Sequence, residues 1–199
     1  MENIKNNSQE DSKVVAKVNG KEIKRKELDL QIQRIAKNQQ FSVPDKQTEE
    51  RKKFERNVLN SMINDNLLVQ DAESQNFQPK EEEIDAYYSA LANQVGGEEK
   101  LTQALQNMGT TTEQLRKDLA NQIMVEQYLN FIKEKNEIVV TEEEVKNFYE
   151  KQVAPQNLGV ELKTIEPKIR QTLEQKKLNQ PLSEIIQNLR KEADISVSL

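Results

Sequence analysis

Apolar residues recur along most of this chain at intervals of three and four positions, which is the period of an amphipathic helix. The longest such stripe, from about residue 48 to residue 75, consists of Phe54, Val58, Leu59, Met62, Ile63 and Leu67. The same period predicts further helices at 26–39, 79–95, 98–108, 111–136, 142–152 and 165–192. The pattern therefore predicts a mainly α-helical protein.

Local signals mark the expected starts of several helices. Thr111 with Gln114, and Thr141 with Glu144, have the spacing of a capping box, in which two orphan amides at a helix start are satisfied reciprocally. Pro79 precedes three glutamates, and proline fits a first helical turn whose positive dipole end favours acids.

Other residues are expected to interrupt helices. Pro44 lies in a break at 41–47, and Asn76 is suited to a left-handed cap that ends the long helix. Pro181 is expected to kink or restart the last helix, because it has no amide hydrogen for the helical ladder.

The two ends of the helical body have strand patterns. Val14–Val18 and Lys21–Ile23 flank Asn19-Gly20, and this pair of turn residues is the strongest short-range signal of a β-hairpin. At the other end, Ile195, Val197 and Leu199 alternate with polar residues, as in a half-buried strand. A lone strand needs a partner, so we expect the C-terminal strand to pair with the hairpin.

These elements divide the chain into four expected parts. Residues 1–13 form a flexible polar leader, and 14–152 form the helical core with its hairpin. Residues 153–164 are a short linker, and 165–199 return to complete the core. The leader resembles the tether of an exported protein or lipoprotein whose signal has been removed, and a frayed cytoplasmic N-terminus is the alternative.

Composition narrows the class of protein. The apolar fraction is 35% and the charged fraction 32%, whereas a typical globular domain is about 45–50% apolar. This composition predicts a thin core and an elongated, well-hydrated helical body. Acidic and basic residues are interspersed with a net charge of −5, so the basic stripe of a nucleic-acid binder is missing. No apolar run is long enough to span a bilayer.

Candidate catalytic chemistry is scarce. The chain has no histidine and no cysteine, which excludes Ser-His and Cys-His nucleophile pairs and a structural zinc site. Gly96-Gly97 lacks the lysine and hydroxyl residue of a phosphate-binding loop. The acidic runs at 81–83 and 142–144 are explained by capping at helix starts. We expect no catalytic residues, no metal and no cofactor.

A few apolar side chains are candidates for binding polypeptide, since Met and aromatic residues make adaptable contacts. They are Phe41, Val43, Tyr87, Tyr88, Met108, Met124 and Phe131. Core packing is the competing interpretation of each, and for the residues on helices it is the stronger one taken singly. Phe41 and Val43 lie between helices, where exposure and burial under the core are equally plausible.

The order of these segments resembles one protein family. VVAKVNGKEI at the start is followed by LNSMINDNLLVQDAES, QPKEEEIDAYY, MGTTTEQLRKDL and TEEEVKNFYEKQ, and the chain closes with KIRQTLEQKKLNQPLSEIIQNLRKEADISVSL. This succession resembles the SurA N-terminal domain family, which includes SurA-like periplasmic chaperones and, more distantly, PrsA-type foldases and the client-binding region of trigger factor. The resemblance covers residues 14–199 and implies that the C-terminal tail completes the N-terminal module.

One departure from that family changes the expected activity. Family members commonly carry parvulin-type prolyl isomerase domains between the TEEEV helix and the last helix, where this chain has only residues 153–164. The resemblance thus implies an extracytoplasmic chaperone without isomerase activity, whose partners are unfolded or nascent polypeptides. Because the chain has no phosphate-binding loop, we expect its action to be independent of ATP. A homodimer is a further expectation. An adaptor that docks one defined partner and a residual isomerase are the alternatives.

Overall fold

The computed structural model describes residues 12–45, 47–156 and 159–199. Its strands are β1 (Val14–Val18), β2 (Lys21–Lys24) and β3 (Ile195–Val197). Its α-helices are α1 (Arg25–Gln39), α2 (Glu49–Ser74), α3 (Glu81–Val95), α4 (Glu98–Asn107), α5 (Thr112–Lys135), α6 (Glu142–Phe148) and α7 (Leu162–Glu192). The prediction of a mainly helical fold is confirmed. Most of the leader expected at 1–13 lies outside the described residues.

The chain folds into two compact units. The first unit comprises the residues up to Ser74 together with Ile186–Leu199, and the second unit comprises Gln75–Ile185. The first unit therefore holds the sheet, α1, α2 and the end of α7. The second unit holds α3 to α6 and most of α7.

The hairpin and the C-terminal strand form one antiparallel sheet in the order β2-β1-β3. Asn19 and Gly20 have φ angles of 50° and 83°, the positive values that a two-residue hairpin turn requires. Ala16 pairs with Val197 and Val18 with Ile195. The predicted pairing of the two ends of the body is confirmed.

The alternating burial expected along the C-terminal strand is wrong beyond its first residue. Ile195 packs against the core of the first unit, whereas Val197 is 54% exposed and Leu199 is 46% exposed. The reason is that β3 is an edge strand that pairs with β1 alone, and packing against the core reaches Ile195 but does not extend along the strand to Val197.

The core of the first unit joins the sheet to α1 and α2. Helix α1 contributes Leu28 and Ile32, and α2 contributes the stripe predicted from its three-and-four spacing. The buried members of this cluster are Val15, Ala16, Val18, Ile23, Leu28, Ile32, Val58, Leu59, Ile63 and Leu67. Helix α2 ends before Asn76, which has the left-handed φ of 63° predicted for a cap.

Asn19 connects three elements of the first unit. Its side-chain amide donates to Gln70 Oε1 of α2 at 2.7 Å, and its Oδ1 accepts from the backbone amide of Asp194 at 2.9 Å. The backbone amide of Asn19 donates to the Asp194 carbonyl at 2.8 Å. The hairpin turn thereby holds both the long helix and the entry to β3.

Replacing Asn19 by glycine is expected to reduce the free energy of unfolding by about 1–2 kcal/mol, because two side-chain hydrogen bonds are lost while the positive φ stays accessible. Asn19→Ala should cost roughly a further 1 kcal/mol for the left-handed backbone. Urea denaturation of both variants measures the two effects separately. Equal stabilities of both variants and the parent chain would contradict this account.

The second unit contains a cluster shared by α3, α4 and α5. Its buried members are Ile84, Tyr88, Ala92, Leu101, Leu105, Leu119 and Ile123. Helix α7 is joined to the start of α6 by polar contacts: Arg170 donates to the Val140 carbonyl at 3.1 Å, and Lys177 Nζ lies 2.7 Å from a Glu144 oxygen. Tyr149 Oη donates to the Val160 carbonyl at 2.7 Å and so ties together the ends of the 150–159 segment.

The predicted caps are partly confirmed. Thr141 and Glu144 form the full reciprocal box. Thr111 accepts from the Gln114 amide at 3.1 Å, but the Gln114 side chain donates to Asp118 instead, so this box is only half formed. Pro79 lies outside α3. The backbone amide of Lys80 donates to the Glu83 carboxylate, and this hydrogen bond caps the first turn of the helix.

The last helix is longer and more continuous than predicted. It begins at Leu162 and includes both Pro167 and Pro181, so the helix does not restart at Pro181, and the alternative of a kink there stays a prediction. A proline removes one amide donor from the ladder, and the rest of a 31-residue helix with its packed residues Ile169 and Leu178 sustains the helical conformation.

Candidate functional site

The seven candidate residues are divided between the two units. Phe41 and Val43 belong to the first unit. The other five belong to the second unit, on α3 (Tyr87, Tyr88), at the end of α4 (Met108) and on α5 (Met124, Phe131). The structure therefore does not gather the seven into one compact unit.

Phe41 and Val43 are half-buried parts of the first unit. The Phe41 ring meets the Phe54 ring edge to face, with centroids 5.4 Å apart. Val43 packs against the core cluster of the sheet, α1 and α2. Both side chains thus stabilise the loop between α1 and α2, and packing under the core is the arrangement the structure shows.

Tyr88 and Met124 are core residues of the second unit. Tyr88 is 9% exposed and Met124 is 7% exposed. The Arg116 guanidinium lies 5.9 Å from the centroid of the Tyr88 ring, and the same arginine bonds Asp85 and Glu81 at 2.7 and 2.9 Å. Neither apolar side chain is available to a partner in this conformation.

Tyr87, Met108 and Phe131 are the three candidates that reach solvent. They are 38%, 53% and 39% exposed, respectively. The Tyr87 hydroxyl donates to Glu126 Oε2 at 2.9 Å. This hydrogen bond to a carboxylate raises the pKa of Tyr87, and it holds the ring in place at the surface between α3 and α5.

Phe131 is part of an aromatic group at the C-terminal half of α5. Its ring centroid lies 5.6 Å from that of Phe77, and Phe77 lies 5.4 Å from buried Tyr128. Gln75 donates to the Tyr128 hydroxyl at 3.0 Å. The sequence interpretation did not select Phe77, although it follows Asn76 in a helix break of the same kind that pointed to Phe41.

Tyr87 and Phe131 lie on α3 and α5, two helices that pack against each other. Tyr87 is one turn beyond Glu83, and Phe131 is one turn beyond Gln127. Glu83 and Gln127 are hydrogen bonded at 3.3 Å. We call Phe77, Tyr87 and Phe131 the α3–α5 aromatic surface.

The charges beside this surface are of both signs. Glu83 and Glu126 lie next to Tyr87 through the contacts described above, while Lys135 Nζ lies 6.0 Å from the centroid of the Phe131 ring. Aromatic rings bordered by alternating charges provide apolar contact area without an extended exposed patch.

Two kinds of feature are absent from the part of the chain that the structure describes. Within 12–45, 47–156 and 159–199 no three carboxylates lie close enough together to hold a metal ion. No helix in that same part of the chain combines the length and apolarity needed to cross a bilayer. The exposed rings of the aromatic surface offer apolar contact area.

Comparison with known proteins supports the family resemblance that the sequence motifs indicated. The model of the SurA-like N-terminal domain family matches residues 1–129. The Foldase protein PrsA of Clostridium botulinum strain Hall is 26% identical over 148 residues, which cover 68% of this chain and 44% of that protein. The Foldase protein PrsA of Clostridium perfringens strain SM101 is 26% identical over 162 residues, covering 75% and 47%.

The chain thus spans slightly less than half the length of these curated relatives. The family match covers the sheet-forming hairpin and all helices from α1 to most of α5. The chain belongs to the SurA-like N-terminal domain family.

Proposed function

We propose that this protein is an ATP-independent chaperone that binds apolar segments of unfolded polypeptides. Membership of the SurA-like N-terminal domain family supports this class, as does the name foldase that its relatives carry. The observation that carries the proposal is the α3–α5 aromatic surface, where Tyr87 and Phe131 stay 38% and 39% exposed.

The physical basis is burial of apolar area on both partners. Each square ångström removed from water contributes about 25 cal/mol, and ordering the client offsets much of that gain. A surface of a few rings therefore binds weakly. Weak binding without a sequence-specific pocket suits a protein that holds many different unfolded chains and releases them without nucleotide.

Aromatic rings on helices are suitable anchors for such contacts. A ring brings large apolar area with few rotatable bonds, so it loses little entropy on binding. Tyr87 is additionally held by Glu126. The excess of 34 acidic over 29 basic residues keeps the exterior hydrated, which supports the solubility of loaded complexes.

Replacing Phe131 or Tyr87 by serine is expected to weaken suppression of aggregation of a denatured model protein by about three- to tenfold in the amount of chaperone required, because each change removes one ring's apolar area. Tyr87→Phe keeps the ring and loses only the hydroxyl, so it should retain suppression. Light scattering during dilution from denaturant measures the effect.

Val197→Ser is the matched control for apolar exposure, since Val197 is 54% exposed but lies in the first unit. It should suppress aggregation as well as the parent chain does. If the parent chain fails at several-fold molar excess over client, the chaperone proposal is wrong. Capture of one stoichiometric partner in place of many would favour the adaptor alternative.

The proposed activity includes no catalysis. We expect prolyl-peptide isomerisation at the uncatalysed rate, because only residues 153–164 stand where members of the family commonly carry a parvulin-type isomerase domain. A protease-coupled proline-peptide assay measures this directly. Acceleration that survives Phe131→Ser would identify a separate isomerase site.

The compartment and assembly remain parts of the proposal. We place the protein outside the cytoplasm, as the family resemblance implies, and a homodimer stays a prediction for analytical ultracentrifugation. Fractionation of host cells that express the natural gene product tests this, because it shows whether the protein lies inside or outside the cytoplasm.

A further inference from the structure

Helix α4 is held in the second unit by very few interactions. Its buried side chains are Leu101 and Leu105, which lie one turn apart and enter the cluster formed with α3 and α5. Among the residues that the structure describes, no side chain from Glu98 to Met108 makes a hydrogen bond or an ion pair. Two leucines therefore account for most of the attachment of this helix.

Glycines separate α4 from its neighbours at both ends. Gly96 and Gly97 precede it with φ angles of 94° and 116°, and Gly109 follows it with a φ of 65°. Gly97 combines its φ with a ψ of 165°, a region that essentially only glycine adopts. These residues allow the backbone to change direction with little steric resistance.

The hydrogen-bond ladders also stop at these glycines. The Gly97 amide closes α3 by donating to the Ala92 carbonyl at 2.8 Å, and the Thr110 amide closes α4 by donating to the Leu105 carbonyl at 3.0 Å. Each helix is capped by itself. Rotation of α4 about the two junctions would break neither ladder.

The surface under α4 is apolar. It consists of Ile84, Tyr88 and Ala92 on α3 with Leu119 and Ile123 on α5. Exposed apolar side chains stand at both ends of α4, where Val95 is 38% exposed and Met108 is 53% exposed. A bound apolar segment next to either end would lie beside the surface that α4 covers.

We propose that α4 is a displaceable cover, which opens about Gly96-Gly97 and Gly109 and exposes the apolar cluster of α3 and α5 to a client segment. The occupant that fits is a helical stretch presenting two leucines one turn apart, the pattern that Leu101 and Leu105 present in the closed state. The opening stands on its own, whereas this occupant rests on the proposed chaperone function.

The opening is measurable because the natural chain contains no cysteine. Leu105→Cys places a single thiol on the buried face of α4 itself, and Ile132→Cys places one at a similarly buried site on α5 outside that cluster. At low denaturant, a thiol reagent should label Leu105→Cys on the order of a hundredfold faster than Ile132→Cys, through an opening that depends little on urea. Labelling of Ile132→Cys should follow global unfolding.

Gly97→Ala should accelerate labelling of Leu105→Cys by about tenfold, since a side chain strains the closed backbone. A Cβ at that position has no atom within 4 Å, so the effect reports the backbone alone. Labelling of Ile132→Cys should be unchanged. Amide hydrogen exchange of the unsubstituted protein provides the same comparison without any variant, with α4 less protected than α3 and α5.

A synthetic peptide of residues 97–110 is the probe for the occupant. It should raise the labelling rate of Leu105→Cys severalfold, and a version with serine at both leucine positions should not. Equal opening energies and equal urea dependence for α4 and α5 would overturn the cover. Rapid opening without any response to the peptide would overturn the occupant, while failure of aggregation suppression alone would overturn only the proposed function.

Discussion

Replacing Glu55 by alanine is expected to destabilise the first unit by about 3–5 kcal/mol, the range for breaking a buried ion pair from one side. Glu55 accepts two hydrogen bonds from Arg25, at 2.7 and 3.1 Å, and one from Arg51 Nε at 2.7 Å. Arg51 and Glu55 are only 7% and 9% exposed. The variant leaves two guanidinium groups facing each other, with Asp29 as their remaining partner.

The pKa of Glu55 gives this effect a pH dependence. Burial alone would raise the pKa, but hydrogen bonds from Arg25 and Arg51 together outweigh burial and lower the pKa of Glu55 from the ordinary value of a glutamate. A carboxyl with a lowered folded-state pKa contributes stability above its unfolded pKa and loses it as pH falls through the folded value. The stability difference between the parent chain and Glu55→Gln should therefore be constant near neutral pH and shrink below about pH 4.5.

Urea denaturation from pH 3 to pH 7 measures both effects. Glu49→Ala is the matched control on the same helix, since Glu49 pairs with Lys52 at 2.7 Å on the exposed side of α2. Exposed ion pairs contribute little to the free energy of unfolding, so Glu49→Ala should unfold at the same urea concentration as the parent chain. Similar losses for Glu49→Ala and Glu55→Ala would show that the buried arrangement has no special role.

Replacing Ile63 by alanine is the second large effect, with an expected loss of about 2.5–5 kcal/mol. Ile63 has 0% exposure and lies in the cluster of the sheet, α1 and α2. Its removal costs the transfer free energy of the lost methyl groups plus that of the cavity left among the neighbours. The measurement is the urea midpoint at an unchanged slope.

A graded series makes this result specific to packing. Ile63→Val should cost roughly 0.5–1.5 kcal/mol, because it removes one methylene equivalent. Val139→Ala, at a valine that is 65% exposed, should stay within about 0.5 kcal/mol of the parent chain. A Val139→Ala loss equal to that of Ile63→Ala would mean that burial does not govern stability here.

Local sequence chemistry predicted the fold better than it predicted the surface. The Asn19-Gly20 turn, the α2 stripe and the pairing of both chain ends follow from rules that act over a few residues or from the need to satisfy a lone strand. Of the two outcomes predicted at Pro181, a kink or a restart, the restart does not occur, because the local preference against proline was outweighed by the rest of a long helix. The capping box predicted at Thr111 is only half formed, because the Gln114 side chain donates to Asp118 instead.

At the candidate site, local sequence chemistry did not predict which side chains are exposed. Tyr87 and Tyr88 are adjacent and chemically alike, yet Tyr88 is buried at 9% and Tyr87 is exposed at 38%. Successive positions on a helix point about 100° apart, so one faces the cluster with α5 while its neighbour faces solvent. Phe77 gains its place beside Phe131 from a loop whose course no periodicity describes.

By itself, the sequence determined that this protein is helical, that residues 14–23 form a hairpin and that the C-terminal strand pairs with it, since these depend on backbone preferences and spacing within short segments. Only the tertiary structure decided which aromatic rings reach solvent, that Glu55 is enclosed by two arginines and that α4 rests on two leucines. Those features depend on contacts between residues far apart in the chain, whose distances are set by packing and not by local pattern.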